Sequence, residues 1–286
     1  MTASPTVSRF RPVHDAHAIV EETIFLEFTP PLQQAMPALL TLKEELKDEF
    51  TAIETLNVMQ VQVTQQQGGA PQIGPQQISE GAGLRMIRSH ADGTIETVIN
   101  IQTTSVTITC NKYTRWDEIW PHQKSYISRI LAKIHGTNSF LTGIGMRWVD
   151  QFVYDGDEPA YAAAELLRSG SAHLNPLAFS SGTRWHCHTG WFNGGTNPGR
   201  DVLNQLNVDA GQMNVAGEIR TAVAISHIQA LRIAQRLDEL ASFNQASDPD
   251  HRALSGLMEA LHDGNKRVLR ELLTDSMIER IGLGAE

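Results

Sequence analysis

Residues 20–31, VEETIFLEFTPP, decide the fold. Val20, Ile24, Leu26 and Phe28 fall on one side of a two-residue period and Glu21, Thr23 and Glu27 on the other. This is the pattern of a strand with one buried face. Pro30 and Pro31 end it, because proline has no N–H to give to a sheet ladder. Downstream, Leu39, Leu40, Leu46 and Phe50 share a stripe at helical spacing, which predicts a helix over 37–49 with Pro37 in its first turn. Strands are predicted at 53–64, 84–89, 95–102 and 105–111, with Asp92-Gly93 as a hairpin turn. The Gln, Gly and Pro-rich stretch 65–83 reads as a long mobile hairpin loop. Thr114 with Asp117 resembles a capping box, opening a helix whose stripe is Ile119, Ile127, Ile130, Leu131 and Ile134.

The same order of elements then returns. Residues 140–154 predict a long strand interrupted by Gly143 and Gly145, and Pro159 opens a short alanine-rich helix to Arg168, stopped by Gly170. Strands are predicted at 184–192, 202–210 and 218–227; over 228–241 the pattern fits either a strand continuing to about Ile233 or a helix with Leu231, Leu237 and Leu240 on its stripe, and the strand is favoured. Asp248 as N-cap and Pro249 at the first helical position open a long helix with Leu254, Leu257, Leu261, Val268, Leu272 and Leu273 on one face, which Gly264 bends. The fold class expected is α+β: two tandem β-α-β-β-β-α repeats, 1–136 and 137–286, sharing one largely antiparallel curved sheet with helices packed on one face. Joining the halves edge to edge removes an exposed strand edge from each. The uncovered sheet face is then the natural binding surface.

Bulk properties narrow the function classes. With 286 residues, of which 41% are hydrophobic, the chain buries a large core. A net charge of -9 opposes the counterion-release term that drives nucleic-acid binding, so no nucleic-acid partner is expected. Two cysteines, Cys110 and Cys187, are too few for a disulfide scaffold. The sequence shows no apolar run of membrane-spanning length and no apolar stretch of signal-peptide type at its start, which predicts a cytoplasmic protein without a membrane partner.

Trp185-His186-Cys187-His188 is the most suggestive cluster. On a strand His186 and His188 share a face and Cys187 points the other way, so the two imidazoles can share a metal. No third ligand is local, and neither a metal nor a cofactor is expected. Cys187 lacks the geometry for activation by either histidine and reads as a small core residue. Arg147, beside Trp148 in the glycine-containing strand, can bind an anionic group or pair with a carboxylate across the sheet, and the pair is favoured. Gly143 and Gly145 point to a bulge or a close approach of elements. Trp116 and Trp120 share a helix face as core or interface anchors. Residues 190–199 lack a phosphate-loop ending and read as a hairpin loop. His262 and Asp263 are sequence neighbours on a helix and do not form a dyad.

In order and spacing, Leu26 to Leu32 with Pro30-Pro31, Tyr113-x-x-Trp116, Gly143 to Trp148, Leu261-His262 and Leu269 to Thr274 resemble a sporadically distributed family of bacterial proteins without an assigned activity. The chain departs from that family in having Trp148 where Tyr is usual and in its Gln-rich stretch. The resemblance implies a bacterial cytosolic protein of an accessory system, such as defence or toxin neutralisation. The expected function is non-catalytic binding or regulation, with a partner protein on the uncovered face and Arg147, Trp148, Trp185, His186, His188 and Trp191 as candidate contacts. The alternatives are a metal-assisted hydrolase centred on His186 and His188, and a small-ligand protein with a pocket between sheet and helices. No catalytic residue is assigned, and the oligomeric state is left open.

Overall fold

The alternation at residues 20–29 becomes strand β2 (Ile19–Thr29), which pairs antiparallel with β7 (Phe140–Tyr154) in the middle of the sheet. The structure is a computed structural model that describes residues 8–14, 16–64, 72–193, 201–232 and 252–284. Beyond β2 lie β6 (Ser105–Cys110), β5 (Ile95–Ile101), β4 (Gln72–Ser89) and β3 (Ala52–Thr64). Beyond β7 lie β10 (Glu218–Arg232), β9 (Val202–Val215) and β8 (Trp185–Asn193). A short β1 (Phe10–Pro12) also pairs with β7. Every pairing is antiparallel, so the chain is α+β with one sheet running unbroken through both halves.

Among the described residues the α-helices are α1 (Met36–Leu40), α2 (Leu42–Glu45), α3 (Trp116–Ile134), α4 (Arg252–Leu272) and α5 (Asp275–Arg280). They meet the face that carries Ile24, Leu26 and Phe28, all buried with Ile127, Ile130 and Ile134 of α3 in one apolar cluster. Each such side chain contributes roughly 1.5–3 kcal/mol by leaving water. A second cluster joins Phe152, Val208, Val223 and Ile225 to Val268, Leu269 and Leu272 of α4 and Met277 of α5. The opposite face carries Thr23, Phe25, Glu27 and Arg147, which are only half-buried.

Several elements differ from their sequence reading. The helix expected over 37–49 is two short helices, because the Thr41 hydroxyl bonds back to the Ala38 carbonyl at 2.7 Å and competes with the helical ladder. Leu39, Leu42 and Leu46 remain fully buried despite the break. Thr114 does not cap α3: Arg115 is the N-cap, no side chain caps the first turn, and the Thr114 hydroxyl donates to Glu118 at 2.6 Å. The helix expected at 159–168 is two 3-10 turns, Glu158–Ala160 and Ala163–Glu165, separated by the extended Ala162. Leu167 beyond them bridges to Leu273. Residues 72–83, assigned above to a mobile loop, belong to β4, since backbone pairing with β3 is indifferent to glutamine-rich composition. Strand β10 continues to Arg232, the favoured of the two readings, whereas residues 65–71, 233–241 and Asp248 with Pro249 lie outside the described residues. Gly264 lies inside α4 without ending it.

Gly143 and Gly145 seat side chains of the neighbouring strand. A Cβ on Gly145 would lie 2.2 Å from Phe25 Cζ and 2.5 Å from the Gln229 carbonyl oxygen, and one on Gly143 would lie 2.6 Å from Glu27 Oε2. The β2–β7 register also shifts between Glu27 and Phe28, beside Gly143, as a bulge would require. Gly145→Ala should therefore destabilise the protein by roughly 2 to 3 kcal/mol in urea unfolding. Phe25→Ala should recover only part of that loss, because the Gln229 carbonyl contact stays. Equal stability of G145A and the parent would show that the strands can separate freely at this point.

Candidate functional site between the sheet and helices α3 and α4

Along β7 and β10 the helix-facing side of the sheet carries apolar residues except where a polar seam crosses it. On β7, Ile144, Met146 and Trp148 belong to the first apolar cluster and Phe152 and Tyr154 to the second, with Asp150 between them. On β10, Leu231 belongs to the first cluster and Val223 and Ile225 to the second, with His227 and Gln229 between. Helix α4 repeats the division: Leu254, Met258 and Leu261 lie on one side, Val268, Leu269 and Leu272 on the other, and His262 and Asn265 between. Glu22 of β2, Asn204 of β9 and Gln123 of α3 complete the seam, all at most 3% exposed.

Burying these groups requires partners. Part of the seam has them. His227 Nδ1 lies 2.8 Å from Asn265 Oδ1, His227 Nε2 lies 3.2 Å from Asn204 Oδ1, and the Gln229 amide donates to the same Asn204 oxygen at 2.8 Å. Burial pushes His227 down to about 4, against the opposing pull of Asn265, so its ring is neutral. A neutral imidazole has one N–H, which we assign to the shorter contact, with Asn265; Nε2 then faces the Asn204 oxygen acceptor to acceptor and makes no hydrogen bond with it.

The carboxyl groups are less well served. The Gln123 amide donates to Glu22 Oε2, while Glu22 Oε1 and Gln123 Oε1 are buried without a partner among the described residues. Burial pushes Glu22 up to about 8, only partly opposed by that amide. Protonated Glu22 has an O–H to offer, which Gln123 Oε1 can accept. Asp150 has no hydrogen bond or ion pair among the described residues, and burial alone pushes it up to about 7. The surroundings share the same bias. Cys110 is raised to about 11 and Tyr113 is also raised, each by burial first and by Glu22 second. His17 is lowered by burial, then by His14 and Arg115.

Asp150 is at the floor of an open cleft of about 230 Å³ between the start of α3 and the middle of α4. Its walls include Tyr113, Trp116, His262 and Asn265, and Arg115, Asp117 and Lys266 add charge. Trp116 is stacked between Trp120, 5.2 Å away at 4°, and His262, 4.5 Å away at 12°. A second hollow of about 320 Å³ on the other flank of α3 is lined by Arg88, Cys110, Lys112 and Gln123. Helix α3 thus separates two hollows, and the seam runs beneath it.

The candidates named from the sequence are dispersed relative to this site. Arg147 lies on the opposite sheet face, 3.3 Å from Glu21 Oε1 and 3.3 Å from Ser226 Oγ, as the cross-sheet pair requires. Trp148 faces the helices and is fully buried, with its Nε1 unpartnered among the described residues. His186 and His188 share the outer face, their rings 5.2 Å apart, and His188 approaches Asp209 at 3.6 Å. Among the described residues no group of three or more His, Cys, Asp or Glu side chains is placed to hold a metal ion. Trp185 and Trp191 were expected to be available to a partner on the uncovered face, but they project to the helix side: Trp185 packs on the second cluster and Trp191 stacks on His173 at 4.5 Å. Alternation along β8 dictates this, because residues of opposite parity face opposite ways. Cys187 is buried on the helix side, away from both histidines.

The sequence reading missed the seam because it treated polar residues in strands as outward-facing. Its signal was present: Glu22 shares the parity of Ile24 and Leu26, and Asp150 that of Met146 and Trp148. An acid at buried parity is expensive unless it has work to do. No helix among the described residues is long and apolar enough to cross a membrane. The chain matches no family model and no curated protein.

Proposed function

We propose that the protein binds a small polar molecule in the cleft above Asp150, and that this binding is its primary activity. The observation that supports the reading is the carboxyl group of Asp150, a residue only 2% exposed, without a partner among the described residues, lining a cleft and lying between two apolar cores. A carboxyl held there is pre-organised to accept a hydrogen bond from a ligand. The cleft suits a compact ligand, because its volume lies below the range typical of drug-sized pockets.

We also propose that the halves are two versions of one β-α-β-β-β-α unit, the first carrying one additional strand, joined through β2 and β7. In each, the central strand is followed by a helical segment, then by strands leading back to its side, and then by a long helix. Such a junction places the cleft where the halves meet, and α4 reaches both apolar clusters. A regulatory role toward a partner protein is the expected output, with the outer face around His186, His188 and Phe192 as its surface. Phe192 is 65% exposed.

Binding can be tested by NMR of the indole N–H signals with a library of small amines, amino acids, polyols and nucleobases. Ligands of the cleft should shift the Trp116 signal and leave the signal of the fully buried Trp148 in place. Absence of any Trp116 shift at millimolar concentrations would remove the reading.

A further inference from the structure

The chemistry of the cleft walls narrows the ligand class, an inference that rests on the binding role just proposed. Its charged groups are of both signs: Asp150 at the floor and Asp117 on α3, against Arg115 at the N-cap and Lys266 on α4. Lys266 also lies 3.6 Å from Asp263. Arg115 makes no ion pair among the described residues. The first turn of α3 has no side-chain cap, and both Trp116 and Asp117 of that turn line the cleft. The leading N–H groups of a helix attract a negative group, and an adjacent guanidinium reinforces this.

Asp150 demands the reverse. A buried carboxyl without a partner is best satisfied by a cationic donor, which favours its ionised form and forms a charge-assisted hydrogen bond. His17 and Tyr113 line the cleft too, but among the described residues neither hydrogen-bonds to Asp150. A ligand of one sign alone pairs with one set of these groups and meets like charge from the other. A dipolar ligand satisfies both. The volume of about 230 Å³ limits that ligand to amino-acid size, and the Trp116–His262 stack lines the cleft beside it.

We propose that the cleft takes a zwitterion of amino-acid size, with its ammonium group on Asp150 and its carboxylate between Arg115 and the first turn of α3. The test is isothermal titration of the full chain with the common L-amino acids, each compared with its decarboxylated amine and its deaminated acid. The expected result is at least one amino acid that binds ten-fold or more tightly than either one-charge relative. Asp150→Asn should weaken it at least ten-fold and Arg115→Gln several-fold. Arg115 is exposed, so its variant tests the carboxylate contact without disturbing the core. Equal binding of an amine and its parent amino acid would overturn the zwitterion while leaving a cation site in the cleft. Binding of polyols or nucleobases alone would overturn the ligand class and retain the cleft. No binding by any probe, with Trp116 signals unmoved, would overturn both the class and the binding role.

Discussion

Glu22→Gln should stabilise the protein by about 4 to 5 kcal/mol above pH 8, one of the two largest effects expected in this molecule. The Glu22 carboxyl is raised from 4.5 to about 8 by burial, so the folded chain holds a proton that the unfolded chain releases between those values. Stability attributable to this group therefore falls as pH rises from about 4.5 and levels off above about 8. Glutamine carries no such penalty. It can also accept from and donate to Gln123, as the protonated acid can. The two proteins should match to within about 1 kcal/mol near pH 4 and diverge by about 1.4 kcal/mol per pH unit above it. Urea unfolding from pH 4 to 9 measures this directly. A constant difference across that range would mean that Glu22 is ionised in the fold and compensated by another group.

Asp150→Asn is expected to show an effect of similar size at lower pH. Burial raises Asp150 from 3.8 to about 7, so its contribution falls between those limits and the asparagine variant gains about 4 kcal/mol by neutral pH. His227 runs the other way. Its lowered value leaves the unfolded chain binding the extra proton, so its contribution is present above 6.5 and lost as pH falls toward 4. Both acid variants are thus needed to expose the full slope.

A ligand separates the two acids further. A cationic group that binds ionised Asp150 lowers its titration and reduces the Asp150 part of the slope, whereas the Glu22 part stays, because Glu22 bonds to Gln123 and is not part of the cleft lining. Unfolding of E22Q and D150N with and without bound ligand reads this difference. If ligand alters the slope of D150N as much as that of E22Q, Asp150 is not the group it meets.

The strand pattern of this chain could be read locally because a one-sided sheet writes its parity into consecutive residues. Thus Val20, Ile24, Leu26 and Phe28 announced β2, the span 140–154 was found to the residue, and the stripe from Ile127 to Ile134 announced α3. Breaks in helices were harder. Thr41 interrupts a run whose apolar spacing continues through it, because its hydroxyl bonds back to the Ala38 carbonyl, and the extended Ala162 separates two 3-10 turns.

The sequence by itself determined the α+β class, the alternating strands and the buried position of Cys187, since each follows from near-neighbour periodicity. Only the tertiary structure decided that Glu22, Gln123, Asp150, Asn204, His227, His262 and Asn265 form one seam. These residues come from six elements across both halves, and their signal one at a time is merely a polar residue at a buried parity. Desolvation acts on a side chain through everything packed around it, so whether an aspartate is a surface charge or a lone acid at the floor of a cleft is settled only when the helices close over the sheet.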